Sequence, residues 1–93
     1  MILALDYDGT FTEDPELWGS FIALAEKRGH KVLCVTARAE EDGVPGISTD
    51  VVWCNGEPKA EVLHRHGHDS AIWIDDMPHL IFGEGQVELP DWY

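Results

Sequence analysis

Apolar residues along the chain come in short unbroken runs, separated by polar stretches rich in glycine, proline and acids. Residues 2 to 5 (ILAL), 31 to 36 (KVLCVT), 50 to 54 (DVVWC) and 71 to 74 (AIWI) are such runs. Each is too short for a stable helix, and its continuous apolar character is that of a strand covered on both faces, as in parallel sheets. Between the first two runs the period changes. Trp18, Phe21, Ile22 and Ala25 fall at i, i+3, i+4 and i+7, an apolar stripe suited to lying on a sheet. Asp14 reads as an N-cap, Pro15 as the first helical residue and Glu16 as a first-turn acid, while Gly29 follows the basic pair Lys27 and Arg28; the pattern predicts a helix over 15–28. The segment ARAEEDGVPGIST, residues 37–49, leaves room for about one helical turn before Gly43, Pro45 and Gly46 break it. Asn55 and Gly56 turn the chain, Pro58 opens a second helix that Ala60, Val62 and Leu63 carry to about His66, and Gly67 ends it. Met77-Pro78 marks another helix start, and the tail QVELPDWY reads as a short edge strand stopped by Pro90.

Strands alternating with helical segments predict a three-layer α/β/α, Rossmann-like parallel sheet built by right-handed crossovers. At 93 residues the chain is expected to form one domain, 1–93, with little stability in reserve. The apolar runs fall well short of the ~20 residues a membrane helix needs, and Met1 opens a strand without a basic leader, so the expected location is the cytoplasm. Charge narrows the partners. Eighteen acidic against six basic residues give a net charge of -12, which repels phosphate backbones and anionic membranes and makes nucleic acid an unlikely broad-surface partner. Cys34 and Cys54 sit twenty residues apart inside apolar runs, with no CxxC pair, and read as buried reduced thiols.

Ligands of such sheets bind at the strands' carboxyl ends. There the sequence puts Asp6 and Asp8 after the first strand, Thr36 after the second, and Asp75 and Asp76 after the fourth, with Lys59 at the start of the helix after the third. A two-residue step in extended chain spans about 6.6 Å and returns to the same side, so Asp6 and Asp8 are expected to face one site. One carboxylate can attack an electrophile while the other gives a proton to the leaving group and later takes one from water. Gly9 lets the chain turn away. Four carboxylates together repel one another unless a cation sits among them, and hard oxygen donors favour magnesium, which keeps places for substrate phosphate. The Thr36 hydroxyl and the Lys59 ammonium suit phosphoryl oxygens. Arg38 stands beside the expected pocket, where a reach to substrate and a plain surface role are both open. In HRHGH, His64 and His66 differ by two on a helix and face apart, which argues against a metal pair. Trp53 and Trp73 are expected in the core, and Trp92 and Tyr93 either serve a homodimer contact or fray.

In order, LALDYDGT, VLCVTAR, the lysine of EPKAEVL, and IWIDDMP resemble the four motifs of haloacid dehalogenase-type phosphatases, over most of the chain. The resemblance implies that Asp6 is the nucleophile, Asp8 the general acid/base and Thr36 a phosphate ligand, with Lys59 steadying nucleophile and phosphate. It further implies magnesium held by Asp6, the backbone carbonyl of Asp8 and Asp75, with Asp76 a second acid acting directly or through water. Asp8 favours phosphate over halide chemistry. Many relatives insert a flap or cap after the first strand or between the second and third, whereas here only Phe11 to Asp14 precede the first helix. The expected function is therefore that of a small capless magnesium-dependent phosphomonoesterase, working through an aspartyl-phosphate on a phosphorylated small molecule or phosphoprotein. Two alternatives stand beside it. One is a polynucleotide-end phosphatase, against which the charge and the lack of a basic stripe argue; the other is a non-catalytic binding module whose truncated 39–49 crossover has abolished turnover.

Overall fold

The structure is a computed structural model and describes residues 1–82. The expected tail strand, with Trp92 and Tyr93, lies outside the described residues. Within them, β1 (Ile2–Leu5), β2 (Lys31–Thr36), β3 (Asp50–Trp53) and β4 (Ile72–Ile74) form one parallel sheet in the order β3-β2-β1-β4. The two inner strands are the most continuously apolar because both their faces are covered. Leu3, Leu5, Val32 and Cys34 meet Ile22 and Ala25 of α1 (Pro15–Lys27) on one face. Ala4, Leu33 and Val35 meet Val62 and Leu63 of α2 (Lys59–Arg65) on the other. A short α3 (His79–Phe82) after Met77-Pro78 packs beside α2. Trp53 and Trp73, expected in the core, are only half-buried, because they lie on the two edge strands.

The crossovers decide where a site can form. From β1 to β2 to β3 the chain moves one way along the sheet. Both connections stay on one face, α1 in the first and Val44 and Ile47 in the second packing against the same cluster. As expected, the second connection holds a single 3-10 turn, Glu40–Asp42. The chain then reverses to the far side of β1, crossing the opposite face through α2. The reversal puts a topological switch point between β1 and β4, where chains leaving the strand ends diverge and open a crevice.

Local signals set the helix ends. The Asp14 carboxylate accepts the Leu17 N–H at 3.1 Å, capping α1 in front of Pro15. At the other end Gly29 takes φ +86°, and the Gly29 and His30 N–H groups donate to Glu26 and Ala25 carbonyls, each at 3.0 Å. This is a Schellman closure, which needs a left-handed residue. Gly67 closes α2 in the same way, its N–H on His64 at 2.9 Å and that of His68 on Leu63 at 3.1 Å. The HRHGH histidines serve this helix end separately: His64 pairs with Asp69, and the His66 Nδ1–H donates to the Val62 carbonyl at 2.8 Å. Both cysteines are free and buried, and burial pushes the Cys34 thiol up to about 12 and the Cys54 thiol to about 11. No helix among the described residues is long and apolar enough to cross a membrane. Asp14→Ala, which removes the cap of α1, is expected to lower stability by about 1 kcal/mol in urea unfolding with an unchanged m-value, and Asp14→Ser by far less.

Candidate active site

The β1–β4 pairing runs one residue past β1, where the Asp6 N–H donates to the Ile74 carbonyl at 2.9 Å. Asp6 is thereby fixed at the switch point, buried to 6% exposure. Its Oδ1 accepts from Lys59 Nζ at 2.6 Å and its Oδ2 from the Thr10 hydroxyl at 3.1 Å. Lys59 opens α2, is 1% exposed, and makes a second 2.6 Å bond to Asp75 Oδ2. Asp75 in turn accepts the Met77 N–H on Oδ1 at 2.9 Å. One buried ammonium thus joins the two carboxylates that follow β1 and β4, and an interior charge persists only with such partners.

Asp76 completes the acidic group from the solvent side. The Thr10 hydroxyl lies 3.4 Å from Asp76 Oδ1, a longer contact than the one it makes to Asp6. Asp76 also lies against Gly9, where an added Cβ would push its carboxylate aside; φ +81° at Gly9 is what calls for glycine in this turn. Asp6, Asp75 and Asp76 each offer one oxygen within 4.8 Å of the others. These three carboxylates against one ammonium leave an excess of negative charge, and their hard oxygens are of the type that could hold a divalent cation.

Electrostatics separates the acids. Burial pushes Asp6 up to about 6, with Asp76 and Asp75 adding to the rise and Lys59 opposing it. Burial alone would lower Lys59, but its bonds to Asp6 and Asp75 outweigh that and hold it above 10.5. Asp8 behaves otherwise. The Arg38 fork grips both its oxygens, Nη2 at 2.7 Å and Nε at 2.8 Å, and holds the carboxyl below its usual range. Arg38 is itself braced: Nη1 donates to the Gly43 carbonyl at 3.0 Å, and the guanidinium lies 4.9 Å from the centre of the Tyr7 ring. Tyr7 stacks on Phe11 and donates its hydroxyl to the Pro45 carbonyl at 2.6 Å.

The expected residues therefore fall into two groups. Asp6, Lys59, Asp75 and Asp76 come together, whereas the Asp8 side chain has its own partner. The extended step that would aim Asp6 and Asp8 alike is replaced by a turn over residues 7–10. Thr36 ends β2 fully enclosed, its hydroxyl accepting the Arg38 N–H at 3.1 Å. Sequence reasoning gave Thr10 no role, although it follows Asp6 by four residues in a turn, and it left Arg38 open, although VTAR puts it two residues past Thr36. No family model matches the chain, and neither a curated protein nor a solved structure matches it significantly.

Because burial raises Asp6 above its unfolded value of 3.8, the folded state holds this proton more tightly. The resulting stability is fully present below pH 3.8 and lost as pH rises through about 6, opposite to the usual aspartate. In chelator, wild-type protein is expected to lose stability relative to Asp6→Asn across that interval. Melting profiles of the two proteins that stay parallel from pH 4 to 7 would contradict the assignment.

Proposed function

We propose that this domain is a capless, magnesium-dependent phosphomonoesterase of the haloacid dehalogenase type, with Asp6 as its nucleophile. One observation carries the reading: a buried aspartate at the sheet's switch point, steadied by a buried lysine and joined there by two further carboxylates. Magnesium, held by Asp6, Asp75 and Asp76 with the backbone carbonyl of Asp8, would supply positive charge against the phosphoryl oxygens.

An Asp6 oxygen attacks phosphorus, forming an acyl-phosphate bond as the ester P–O bond breaks. Asp8, whose carboxyl Arg38 holds below its usual range in the free protein, first leaves that fork and takes a proton from solvent, which it then passes to the departing oxygen. In the second half Asp8 takes a proton from water as the water oxygen bonds to phosphorus; the acyl-phosphate bond then breaks, releasing phosphate and restoring Asp6. Lys59 holds the nucleophile and, with Thr36, faces the phosphate once the strand-end loops admit it. The short 6–14 segment carries only the 3-10 turn Phe11–Glu13, so small phosphorylated molecules and phosphoproteins both remain candidate substrates. The net charge of -12 weighs against polynucleotide ends.

A second reading, a non-catalytic binding module, is favoured by the enclosure of Thr36 and Lys59 and by the double grip of Arg38 on Asp8. Hydrolysis of p-nitrophenyl phosphate with magnesium separates the two. The enzyme reading expects turnover that Asp6→Asn reduces by on the order of a thousandfold or more and Asp8→Asn by about a hundredfold or more. It also expects phosphate trapped on Asp6 alone. Magnesium at ten times its Kd should stabilise the fold by about 1.4 kcal/mol, a rise of several degrees in Tm for a domain this size. A magnesium shift without turnover supports the module; neither shift nor turnover defeats both readings of the acidic group.

A further inference from the structure

Basic side chains are scarce in this chain, and their positions are informative. Of the six lysines and arginines, Lys27, Arg28 and Lys31 lie around the end of α1 and the start of β2, at the pole opposite the site. Arg65 ends α2 and pairs with Glu57 at 3.0 Å. Lys59 and Arg38 remain at the carboxyl ends of the strands. Lys59 is 1% exposed and already bonded to Asp6 and Asp75, so an incoming anion cannot meet it first. Arg38 differs, with its side chain 32% exposed and the Asp8 side chain that it grips 55% exposed. It is the reachable cation at the mouth of an otherwise acidic site. Its backbone N–H rests on the Thr36 hydroxyl, so it stands beside the strand end where phosphate is expected.

We propose that Arg38 is a phosphate-binding residue of this site, occupied by Asp8 until a phosphoryl group displaces that carboxylate from its guanidinium fork. The proposal rests on reading the site as one for phosphate, but not on turnover. The Nε and Nη2 hydrogens that meet the two Asp8 oxygens at 2.8 and 2.7 Å have the spacing that also fits two phosphoryl oxygens. Contacts to the Gly43 carbonyl and the Tyr7 ring brace the guanidinium, so the anion changes while the arginine keeps its place. A half-exposed carboxylate pair is worth little in water, whereas a dianionic phosphoryl group carries more charge to the same fork. Exchange has a chemical consequence as well. With both oxygens gripped, Asp8 has no oxygen turned to a leaving group; once displaced, it is free to serve one.

The test is binding of inorganic phosphate, measured calorimetrically in magnesium with the full chain, in wild type, Asp8→Asn, Arg38→Gln and the double variant. Exchange predicts that Asp8→Asn tightens binding about fivefold, the most an exposed ion pair is worth, by freeing the fork, and that Arg38→Gln weakens it about tenfold, as befits a charged hydrogen-bonding group. In the Arg38→Gln background the gain from Asp8→Asn should fall to about twofold or less. Simple removal of a negative charge would instead give the same gain in both backgrounds, and that result overturns the proposal. So does a failure of both wild type and Asp8→Asn to bind phosphate. Coupled phosphate binding without turnover would leave Arg38 in this role and defeat only the enzyme reading; turnover without coupling would do the reverse. Melting curves establish that each variant is folded, and Arg38→Met, which keeps the side-chain stem against Tyr7, replaces Arg38→Gln if that variant is not.

Discussion

A lysine ammonium buried between two buried carboxylates, Asp6 and Asp75, is the interaction around which the described structure is arranged. Such a group adds little net stability, since desolvating three charges offsets most of their mutual attraction and a well-packed apolar core would serve as well. Its presence constrains the fold in three places at once. The chain after β1 must stay paired with β4 for one more residue, β4 must end with Asp75 turned inward, and α2 must begin with its first side chain reaching under both strand ends. The reversal of strand order at β1 satisfies all three, because it brings the ends of the first and last strands together with the start of the helix that links β3 to β4.

A second, more exposed group holds the other half of the strand ends. The β2–β3 connection lacks a crossover helix, and Val44 and Ile47 alone supply its apolar packing against the α1 face. Side chains from the first loop compensate. Tyr7 binds the Pro45 carbonyl, and Asp8 holds Arg38, which reaches the Gly43 carbonyl. The DYDG stretch therefore does two structural jobs, Asp6 facing the buried ammonium and Tyr7 and Asp8, in the turn that follows, anchoring the neighbouring loop. The missing helix and the gripped Asp8 meet at Arg38, whose guanidinium bonds both to Asp8 and to the Gly43 carbonyl of the short loop.

Strands and helices were legible because burial leaves a periodic trace. The apolar runs of β1 and β2, the α1 stripe from Trp18 to Ala25, and the Asp14, Gly29 and Gly67 end signals all correspond to the structure within a residue or two. The tryptophans were less legible. An apolar strand residue looks the same whether its strand is central or at an edge, and strand order is not written in local pattern, so Trp53 and Trp73 are more exposed than expected. The site was legible as a set of residues at strand ends but not as a set of contacts. An alternation rule treats Asp6, Tyr7 and Asp8 as extended chain, and it fails where the turn begins at Tyr7. Lys59 in a first helical turn carries no local sign of burial, and the pairing of Asp8 with Arg38 spans thirty residues of sequence.

Charge balance unites the two groups. With eighteen acids and six bases, the chain can give its strand ends few cations, and both of those stationed there are already bonded to aspartates. The electrostatic character of the site then depends on which partner each cation holds rather than on any free positive charge. Lys59, enclosed and bonded twice, is the fixed element. Arg38, partly exposed and paired with a half-exposed carboxylate, is the one whose partner can change, while the Gly43 carbonyl and the Tyr7 ring hold it in place beside the short loop that forms the wall of the site.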